Sequence, residues 1–352
     1  MSRRPRLDPA IFNLPVERMR AGYYSDKYFV RARDILLADD YHPRVTMQVF
    51  GKANAFLGGI DEAIAILKLC AFEWSDLVVQ ALHEGDEIEP WETVLLIEGP
   101  YDAFAHLETL YLGVLSRRTR VGTNTRRVVE AASPKQIIFF PARHDHWLVQ
   151  TGDGYAAHVA GAIGVSTDAQ ASWWGSEGVG TVPHALIAAY GGDTVLATQK
   201  FAEHIAPEVQ VITLVDFDND CVGTSLMVAR ALGNKLYGVR LDTSEMLVDQ
   251  SVIPEMGHFR PTGVNPQLVR NVRTALDAEG FRHVRIIVSG GFDVAKIQEF
   301  ERLAVPVDGY GVGSSLFGGR FDFTADVVLL EGLPVAKTGR GYRPNPRLER
   351  VR

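Results

Sequence analysis

Short apolar runs followed by amphipathic helical segments dominate the chain from about residue 135 onward. The runs are continuous rather than alternating, which is typical of parallel strands that are buried on both faces. They lie at 137–140, 211–215, 236–241, 285–288 and 305–310. After the fourth run, Asp293 is a predicted N-cap, and Ile297 and Phe300 belong to an apolar helical stripe. With a shorter segment at 165–167, the pattern predicts about six βα units between 135 and 318, too few for an eight-stranded barrel.

The first hundred residues show a different pattern, in which predicted strands meet through tight turns. The predicted strands lie at 45–50, 77–82 and 93–98, and one helix is predicted at 59–69. This arrangement is typical of an α+β domain. Two helices are predicted next, at 106–116 and 124–132. A last strand at 326–330 precedes an arginine-rich tail, which we expect to pack back onto the first domain.

Two consecutive strand-to-helix turns are rich in glycine. The first turn is Ser289-Gly290-Gly291, and the second is Gly311-Val312-Gly313-Ser314-Ser315. Glycine permits positive φ angles and close approach to a ligand, and the backbone N–H groups of such turns form an anion cradle. Two such turns on adjacent strands are the usual phosphate site of α/β barrels, although they do not name a reaction. The predicted phosphate-binding residues are Ser289, Gly290, Gly291, Gly311, Gly313 and Ser314.

Polar side chains follow several of the predicted strands at the point where each strand ends. They are Arg143, Asp216, Asp242, Ser289 and Ser314. Because the C-terminal ends of parallel strands face one side of the fold, we expect these groups to converge. Carboxylates beside phosphate loops suit a Mg²⁺ ion that is held partly through water, so Asp242 and Asp216 are the candidate metal ligands. The pattern indicates magnesium-assisted chemistry on a phosphate ester.

A histidine stands in the first turn of another predicted helix. Thr181-Val182-Pro183-His184 precedes an apolar segment at 185–190. Beside phosphate groups, His184 could donate a proton or accept a phosphoryl group; alternatively it is a capping or simply packed side chain. The residue pattern alone leaves these alternatives open.

Composition argues against several classes of protein. The net charge of −7 and the pI near 5.8 give no footprint of nucleic-acid binding. No run approaches ~18 apolar residues, so no membrane span is expected, and the basic start MSRRPRLDP lacks the apolar region of a secretory signal. Cys70 and Cys221 lie far apart, which argues against a cysteine zinc cluster and fits a reducing compartment. We therefore expect a cytoplasmic protein.

Taken in order, the motifs resemble those of the nicotinate phosphoribosyltransferases, which have the type II phosphoribosyltransferase fold. The matching segments are SDKYF at 25–29, HLETLYLGVLS at 106–116, FPARHDH at 140–146, GTVPH at 180–184, VRLDT at 239–243, IIVSGGFD at 286–293 and GYGVGSS at 309–315. The resemblance covers nearly the whole chain from about Tyr23 onward. It is greatest to the short archaeal and bacterial members.

The resemblance implies an α/β fold, with an N-terminal α+β sandwich domain and an incomplete, about six-stranded α/β barrel. The sandwich would take residues 1–115, completed by the C-terminal segment 320–352, and the barrel would take residues 116–319. The implied reaction joins nicotinate to 5-phosphoribosyl-1-pyrophosphate, giving nicotinate mononucleotide and pyrophosphate in NAD salvage. The resemblance further implies Mg²⁺, ATP as a co-substrate that is hydrolysed, and a homodimer or larger assembly with active sites shared across the interface.

The resemblance also implies roles for single residues. His184 matches a histidine that is transiently phosphorylated, and Tyr28 matches a tyrosine that stacks on the pyridine ring from the other subunit. The implied catalytic residues are His184, Asp242 and Arg240. The implied nicotinate contacts are Tyr28, Thr181, Arg240 and Arg143. Arg126, on the second of the two helices predicted after residue 100, is a further candidate for the phosphates.

Two neighbouring substrates remain open on the same fold. Quinolinate would need a second basic pocket for its additional carboxylate. Nicotinamide would favour an aspartate facing the amide in the segment after Arg143, where Asp145 and Asp153 stand. One departure from the longer members of the family is the segment Thr243-Ser244-Glu245, where those members carry Gly-Asp.

Two further interpretations change the class of protein. A non-catalytic, nucleotide-binding barrel would be indicated by the loss of Arg240, Asp242 or His184, and all three are present. A barrel synthase with the same two glycine loops would not need the leading α+β domain, which argues against that alternative.

Overall fold

A computed structural model describes residues 4–205, 209–257 and 259–351. The strands are β1 Arg44–Gly51, β2 Ala55–Phe56, β3 Val78–Ala81, β4 Glu87–Ile88, β5 Thr93–Pro100, β6 Gln136–Phe139, β7 Gly164–Val165, β8 Val211–Leu214, β9 Leu236–Leu241, β10 Arg285–Val288, β11 Gly309–Val312, β12 Phe323–Leu330, β13 Leu333–Pro334 and β14 Glu349–Arg350. The helices are α1 Val16–Arg20, α2 Lys27–Ala38, α3 Ile60–Cys70, α4 Tyr101–Phe104, α5 Glu108–Ala132, α6 Gln150–Val159, α7 Asp168–Ala171, α8 His184–Ala189, α9 Thr194–His204, α10 Cys221–Leu232, α11 Pro266–Ala278 and α12 Val294–Arg302.

The chain divides into two compact units. The first contains the chain up to Asn124, the segment Tyr155–Ala160 and the chain from Gly318 onward. The second contains Thr125–Gly154 and Gly161–Phe317.

The first unit contains a six-stranded sheet in the order β13-β12-β1-β5-β3-β14, with antiparallel neighbours throughout. Apolar residues of β1, β5 and α3 share one core, which includes Val49, Leu95 and Ile64. Gln48 of β1 is buried as well: its Nε2 donates to the Gly341 carbonyl at 2.9 Å, and its Oε1 accepts from the Arg343 N–H at 3.0 Å. The C-terminal segment therefore completes this sheet and satisfies its buried polar side chain.

The second unit contains six parallel strands in the order β7-β6-β11-β10-β9-β8. All four residues of β11 and three of the four in β10 are buried, which explains why these strands read as continuous apolar runs. The sheet is curled into an incomplete barrel, and the predicted α/β fold is confirmed.

One difference from the sequence prediction concerns the helices after residue 100. The two helices predicted at 106–116 and 124–132 are a single helix, α5. Its middle is held by tertiary contacts, because the Thr119 and Thr123 hydroxyls accept from the backbone N–H groups of Gly58 and Phe56 at 3.1 and 3.0 Å. Across the part of the chain that the structure describes, no helix combines the length and apolar character needed to cross a membrane.

A second difference concerns the strand predicted at 305–310. The strand β11 begins only at Gly309, and Ala304 before it adopts the left-handed conformation, with a φ of 48°. This residue ends the preceding helix and turns the chain, so the residues between it and the strand form a loop. The predicted N-cap of α12 is confirmed, because Asp293 Oδ1 accepts from the Lys296 N–H at 2.9 Å.

A buried histidine lies in the first unit. His106 has no exposed surface, and its ring centroid lies 5.0 Å from that of Phe72. Burial lowers the pKa of His106 to about 4, and the charge of Arg33 acts in the same direction. The imidazole is therefore neutral at physiological pH.

Candidate functional site

Polar side chains from three neighbouring strands converge at one edge of the parallel sheet. Arg240 is the penultimate residue of β9, and Asp242 follows that strand directly. Ser289 directly follows β10, and Asp216 comes two residues after β8. Because β8, β9 and β10 are adjacent and parallel, these four side chains lie at the same edge. Of the five residues that were expected to converge, Asp216, Asp242 and Ser289 are at this edge.

Arg240 is the centre of a hydrogen-bonded network at this edge. Its Nε donates to Ser289 Oγ at 2.7 Å, and that hydroxyl donates in turn to Asp242 Oδ1 at 2.7 Å. The Arg240 Nη1 donates to Thr181 Oγ1 at 3.4 Å, and its Nη2 lies 3.4 Å from Asp242 Oδ2. These contacts hold the guanidinium plane in one orientation between the strand ends.

The environment of Arg240 combines burial with opposite charges. The Cζ atom of Arg240 lies 4.9 Å from the centroid of the Phe140 ring. Burial lowers the pKa of Arg240, while Asp242 and Asp216 raise it and Arg143 lowers it further. An arginine stays charged under such shifts, and its planar fork suits a carboxylate or a phosphate. Phe140 was not identified from the sequence, where it read only as the end of an apolar run.

The first glycine turn has the conformation that the sequence suggested. Gly290 and Gly291 have φ angles of 85° and 68°, which other residues rarely adopt. A Cβ atom on Gly290 would also lie 3.3 Å from Asp242 Oδ1. The turn therefore places backbone that carries no side chain next to the Asp242 carboxylate.

The second glycine turn depends on space rather than on positive φ. A Cβ atom on Gly311 would come within 2.6 Å of the Phe140 ring, and one on Gly313 within 3.1 Å of the His144 ring. Ser314 follows them as an exposed residue at the start of a 3₁₀ turn, Ser314–Phe317. Glycine at these positions lets the segment after β6 lie directly against the end of β11.

His184 is paired with a carboxylate beside this network. It is the first residue of α8, and its Nε2 lies 3.0 Å from Asp216 Oδ1. The hydrogen bond to Asp216 raises the pKa of His184, and the Asp242 charge adds to that effect, while burial and Arg240 oppose it. The Asp216 side chain is largely buried, and about two fifths of the His184 side chain is exposed. His184 is thus accessible and oriented by an anionic partner.

Two of the predicted site residues make none of the hydrogen bonds given above, and a third belongs to the other unit. Arg143 is exposed on a 3₁₀ turn, Ala142–His144, after β6. The Arg126 Nε lies 2.7 Å from Glu130 Oε1 on α5. Tyr28 belongs to α2 in the first unit, is 62% exposed and packs against the Phe29 ring at 4.2 Å.

A buried aspartate that sequence analysis missed connects two loops of the second unit through hydrogen bonds. Asp249 is fully buried, and its Oδ2 accepts from the Cys221 N–H at 2.8 Å. Its Oδ1 accepts from the N–H and hydroxyl of Ser251 at 2.9 and 2.7 Å. Asn219, which is left-handed with a φ of 56°, donates from Nδ2 to the Val248 carbonyl at 2.6 Å. These bonds connect the loop after Asp216 to the loop after β9. No local pattern in the sequence predicts them.

Comparisons with known proteins identify the family. The chain is 35% identical to nicotinate-nucleotide pyrophosphorylase from Pyrococcus furiosus, with a TM-score of 0.80, over 94% of this chain and 81% of that chain. It is 31% identical over 279 residues to nicotinate phosphoribosyltransferase pncB1 of Mycobacterium tuberculosis. The chain belongs to the type II phosphoribosyltransferase family. The profile of the quinolinate phosphoribosyl transferase N-terminal domain matches residues 26–119.

The type II phosphoribosyltransferase fold is also shared with a more distant relative. Human nicotinic acid phosphoribosyltransferase is 18% identical and has a TM-score of 0.68, over 90% of this chain and 77% of that chain. That likeness concerns the fold alone. The match to pncB1 covers 76% of this chain, which spans 57% of the length of that curated relative.

Two carboxylates at this edge of the sheet are the candidate donors to a metal ion. Within 4–205, 209–257 and 259–351, no group of three or more His, Cys, Asp or Glu side chains could hold a metal ion. Asp242 and Asp216 remain as two carboxylates at the same edge of the sheet, beside the glycine turns. Mg²⁺ commonly binds through one or two carboxylates, its own waters and substrate phosphates, so these residues fit that ion.

Proposed function

We propose that the chain is a nicotinate phosphoribosyltransferase. It would join nicotinate to 5-phosphoribosyl-1-pyrophosphate and release nicotinate mononucleotide and pyrophosphate. The observation that carries the proposal is the position of Arg240, held by Thr181, Ser289 and Asp242 beside two glycine turns. The name of the M. tuberculosis relative supports the choice of nicotinate.

The two ends of the substrates are assigned by chemistry. Arg240 carries five N–H donors in a planar fork, which matches the carboxylate of nicotinate, and the Thr181 hydroxyl adds a neutral contact. The N–H groups of the glycine turns, after Ser289 and around Gly313, receive the 5′-phosphate. Arg143 and Arg126 remain candidates for the pyridine pocket and the phosphates.

The main requirement of this reaction is the stabilisation of charge that develops in the transition state. The ring nitrogen of nicotinate attacks C1 of the ribose while the bond from C1 to pyrophosphate breaks, so positive charge develops on the sugar and negative charge leaves. Asp242 beside the ribose stabilises the positive charge, and Arg240 orients the pyridine. Because the ring nitrogen carries its own lone pair, no general base is required.

Mg²⁺ is the proposed cofactor. Asp242, with Asp216 as a second donor, would hold it together with the pyrophosphate. When bound, the ion neutralises the departing pyrophosphate.

ATP is the proposed co-substrate, with His184 as the phosphoryl acceptor. Asp216 bonds one ring nitrogen of His184 at 3.0 Å and so favours the tautomer whose other nitrogen carries the lone pair. That nitrogen would take the γ-phosphoryl group as the bond to ADP breaks, and later hydrolysis would return free histidine and phosphate.

The assembly proposed is a homodimer or larger, in the cytoplasm, serving NAD salvage. Tyr28 would stack on the pyridine ring of the neighbouring subunit. Its support is the exposed ring in a first unit whose surface also presents Tyr23, Ile35 and Tyr41. Aromatic residues of this kind are frequent at subunit interfaces.

Quinolinate is the second candidate substrate, because the matched N-terminal profile carries that name. Its additional carboxylate would require another cation beside Arg240, and its decarboxylation would add carbon dioxide to the products. Arg143 is the side chain that could supply this charge, since it already influences the pKa of Arg240.

A product assay tests the proposal. The protein is incubated with phosphoribosyl pyrophosphate, Mg²⁺ and nicotinate, nicotinamide or quinolinate, with and without ATP, and mononucleotides are separated by chromatography. We expect nicotinate mononucleotide, increased by ATP and lost in Arg240→Ala. Product from quinolinate or nicotinamide alone would transfer the activity to that pyridine. Absence of product from all three, with the protein folded, would contradict a catalytic role.

A further inference from the structure

An acidic side chain lies over the first glycine turn, where the proposed phosphate would bind. A Cβ atom built on Gly291 would come within 2.0 Å of Glu245 Oε1 and 2.9 Å of its Cδ. All three of the nearest atoms to that position belong to Glu245. Glu245 comes from the loop after β9, in the segment that departs from the longer family members. Glycine at 291 therefore leaves room for a carboxylate against the backbone.

A lysine on the other side of the same turn faces this carboxylate. Lys296 Nζ donates to the Gly290 carbonyl at 3.1 Å and lies 4.4 Å from the centroid of the Phe292 ring. Burial lowers the pKa of Lys296, and the charge of Glu245 is the largest influence that raises it. The half-buried ammonium group of Lys296 and the Glu245 carboxylate therefore attract each other electrostatically. An incoming phosphate would be attracted by the same ammonium group and repelled by the carboxylate.

A cavity of about 570 Å³ gives Glu245 a place to move. Glu245, Gly291 and Lys296 form part of its wall, and Arg260 and Arg270 line it further back. Each guanidinium has five N–H donors. Arg260 uses Nε for the Thr262 hydroxyl at 3.2 Å, and Arg270 uses Nη2 for the Leu303 carbonyl at 2.7 Å. The wall carries three basic side chains, Arg260, Arg270 and Lys296, and three acidic ones, Glu245, Asp293 and Glu299. A carboxylate that leaves the turn can therefore stay inside a polar cavity that contains basic groups. Its displacement does not require an unpaired charge in an apolar environment.

We propose that Glu245 is an internal competitor for the phosphate cradle, which keeps the turn at Gly290 and Gly291 clear of free inorganic phosphate. This inference rests on the proposed phosphate-binding role of that turn. Every phosphate at this turn is repelled by the neighbouring carboxylate or pushes it aside, so affinity is lowered for all of them by a similar factor. Phosphoribosyl pyrophosphate has further contacts through its ribose and pyrophosphate and still binds. Orthophosphate has none, so at cellular concentrations it leaves the cradle free.

The size of the effect follows from the charge. One carboxylate within a few ångströms of a phosphate in a partly hydrated site changes affinity by about tenfold. Removing that charge while keeping the shape, in Glu245→Gln, should therefore tighten phosphate binding about tenfold. Because the interaction is partly exposed, the gain should shrink at high salt. Glu245 is exposed, so the substitution is not expected to affect folding.

The test is calorimetric binding of ribose 5-phosphate and of orthophosphate to the full chain at low and high salt. The matched control is Glu299→Gln, which removes the same charge from the wall of the same cavity on α12. We expect about tenfold tighter binding of both probes to Glu245→Gln and binding within twofold of wild type for Glu299→Gln.

Three outcomes would overturn the inference in distinguishable ways. Equal affinity of wild type and Glu245→Gln for ribose 5-phosphate would show that Glu245 does not compete with phosphate. The proposed phosphate-binding role of the turn would then still stand. Weaker binding by Glu245→Gln would make Glu245 a ligand contact instead of a competitor. No binding of ribose 5-phosphate to either protein would remove the cradle itself, and the proposed phosphoribosyl chemistry with it.

Discussion

Replacing Arg240 with lysine keeps the positive charge and removes the planar fork, so it isolates what the geometry of Arg240 contributes. In the structure, the guanidinium has a 2.7 Å bond to Ser289 and 3.4 Å contacts to Thr181 and Asp242. It also lies over the Phe140 ring. A lysine ammonium is a compact point charge and cannot meet these four partners from one position.

The magnitude follows from the contacts that are lost. A hydrogen bond from a charged donor contributes about 1.5–3 kcal/mol, which applies to the bond with Ser289. A stacked cation in a partly desolvated site contributes about 1–2 kcal/mol, of which lysine keeps a part. If the lysine ammonium still approaches Asp242, the transition state loses about 3 kcal/mol of stabilisation. This loss corresponds to a kcat/KM that is roughly a hundredfold lower.

The assay measures kcat/KM for mononucleotide formation with nicotinate varied and phosphoribosyl pyrophosphate saturating. Urea unfolding of the same variant separates loss of activity from loss of stability. Arg230→Lys is the matched control, because Arg230 makes an exposed bidentate pair with Glu279 away from the site. A kcat/KM for Arg240→Lys within threefold of wild type would refute the reasoning that the oriented fork binds the substrate.

The remaining predictions concern the phosphoryl acceptor, the subunit interface, a buried histidine and a buried aspartate. His184→Ala should abolish stimulation by ATP and leave some ATP-independent transfer; unchanged stimulation in the product assay would remove the phosphoryl-acceptor role. Tyr28→Ala should raise the KM for nicotinate, and mixing it with Asp242→Ala should restore activity if sites are shared; no recovery after demonstrated subunit exchange would favour self-contained subunits. His106→Phe should remove an acid-induced loss of stability of up to ~3 kcal/mol, because burial lowers the pKa of His106 from 6.5 to about 4 and the unfolded chain takes up the proton first. Urea unfolding from pH 7 to pH 4 checks this: wild-type stability should fall across that window, and an equal fall in the variant contradicts the assignment. Asp249→Ala should destabilise the fold by about 2 kcal/mol, since it removes the acceptor of the buried Cys221 N–H and of the two partly buried donors of Ser251; a change in the free energy of unfolding below 1 kcal/mol would contradict this.

The features that were predictable from the sequence are local ones. Each parallel strand reads as a short apolar run, and the polar residue after it marks where the strand ends. Asp242 and Ser289 could therefore be placed at one edge before the strand order was known. The two glycine turns were equally visible, because Gly290 and Gly291 need backbone angles that few other residues adopt.

Elements whose limits depend on distant segments were predicted less well. The helix α5 was split into two because residues 117–123 are rich in arginine, threonine and glycine, which give no apolar helical stripe. Their helical state is stabilised by the hydroxyls of Thr119 and Thr123, which bond the backbone near residues 56 and 58. Such bonds join positions more than sixty residues apart and leave no periodic pattern.

The sequence by itself determined the α/β class, the six strands and the polar residues at their ends, because hydrophobic periodicity and turn chemistry act within a few residues. Only the tertiary structure decided which of these side chains touch. The strand order places β11 between β6 and β10, so Phe140, which directly follows β6, meets Gly311 and Arg240. The same folding places Glu245 over Gly291. Contacts between side chains on different strands follow from strand order and packing, which are properties of the whole chain.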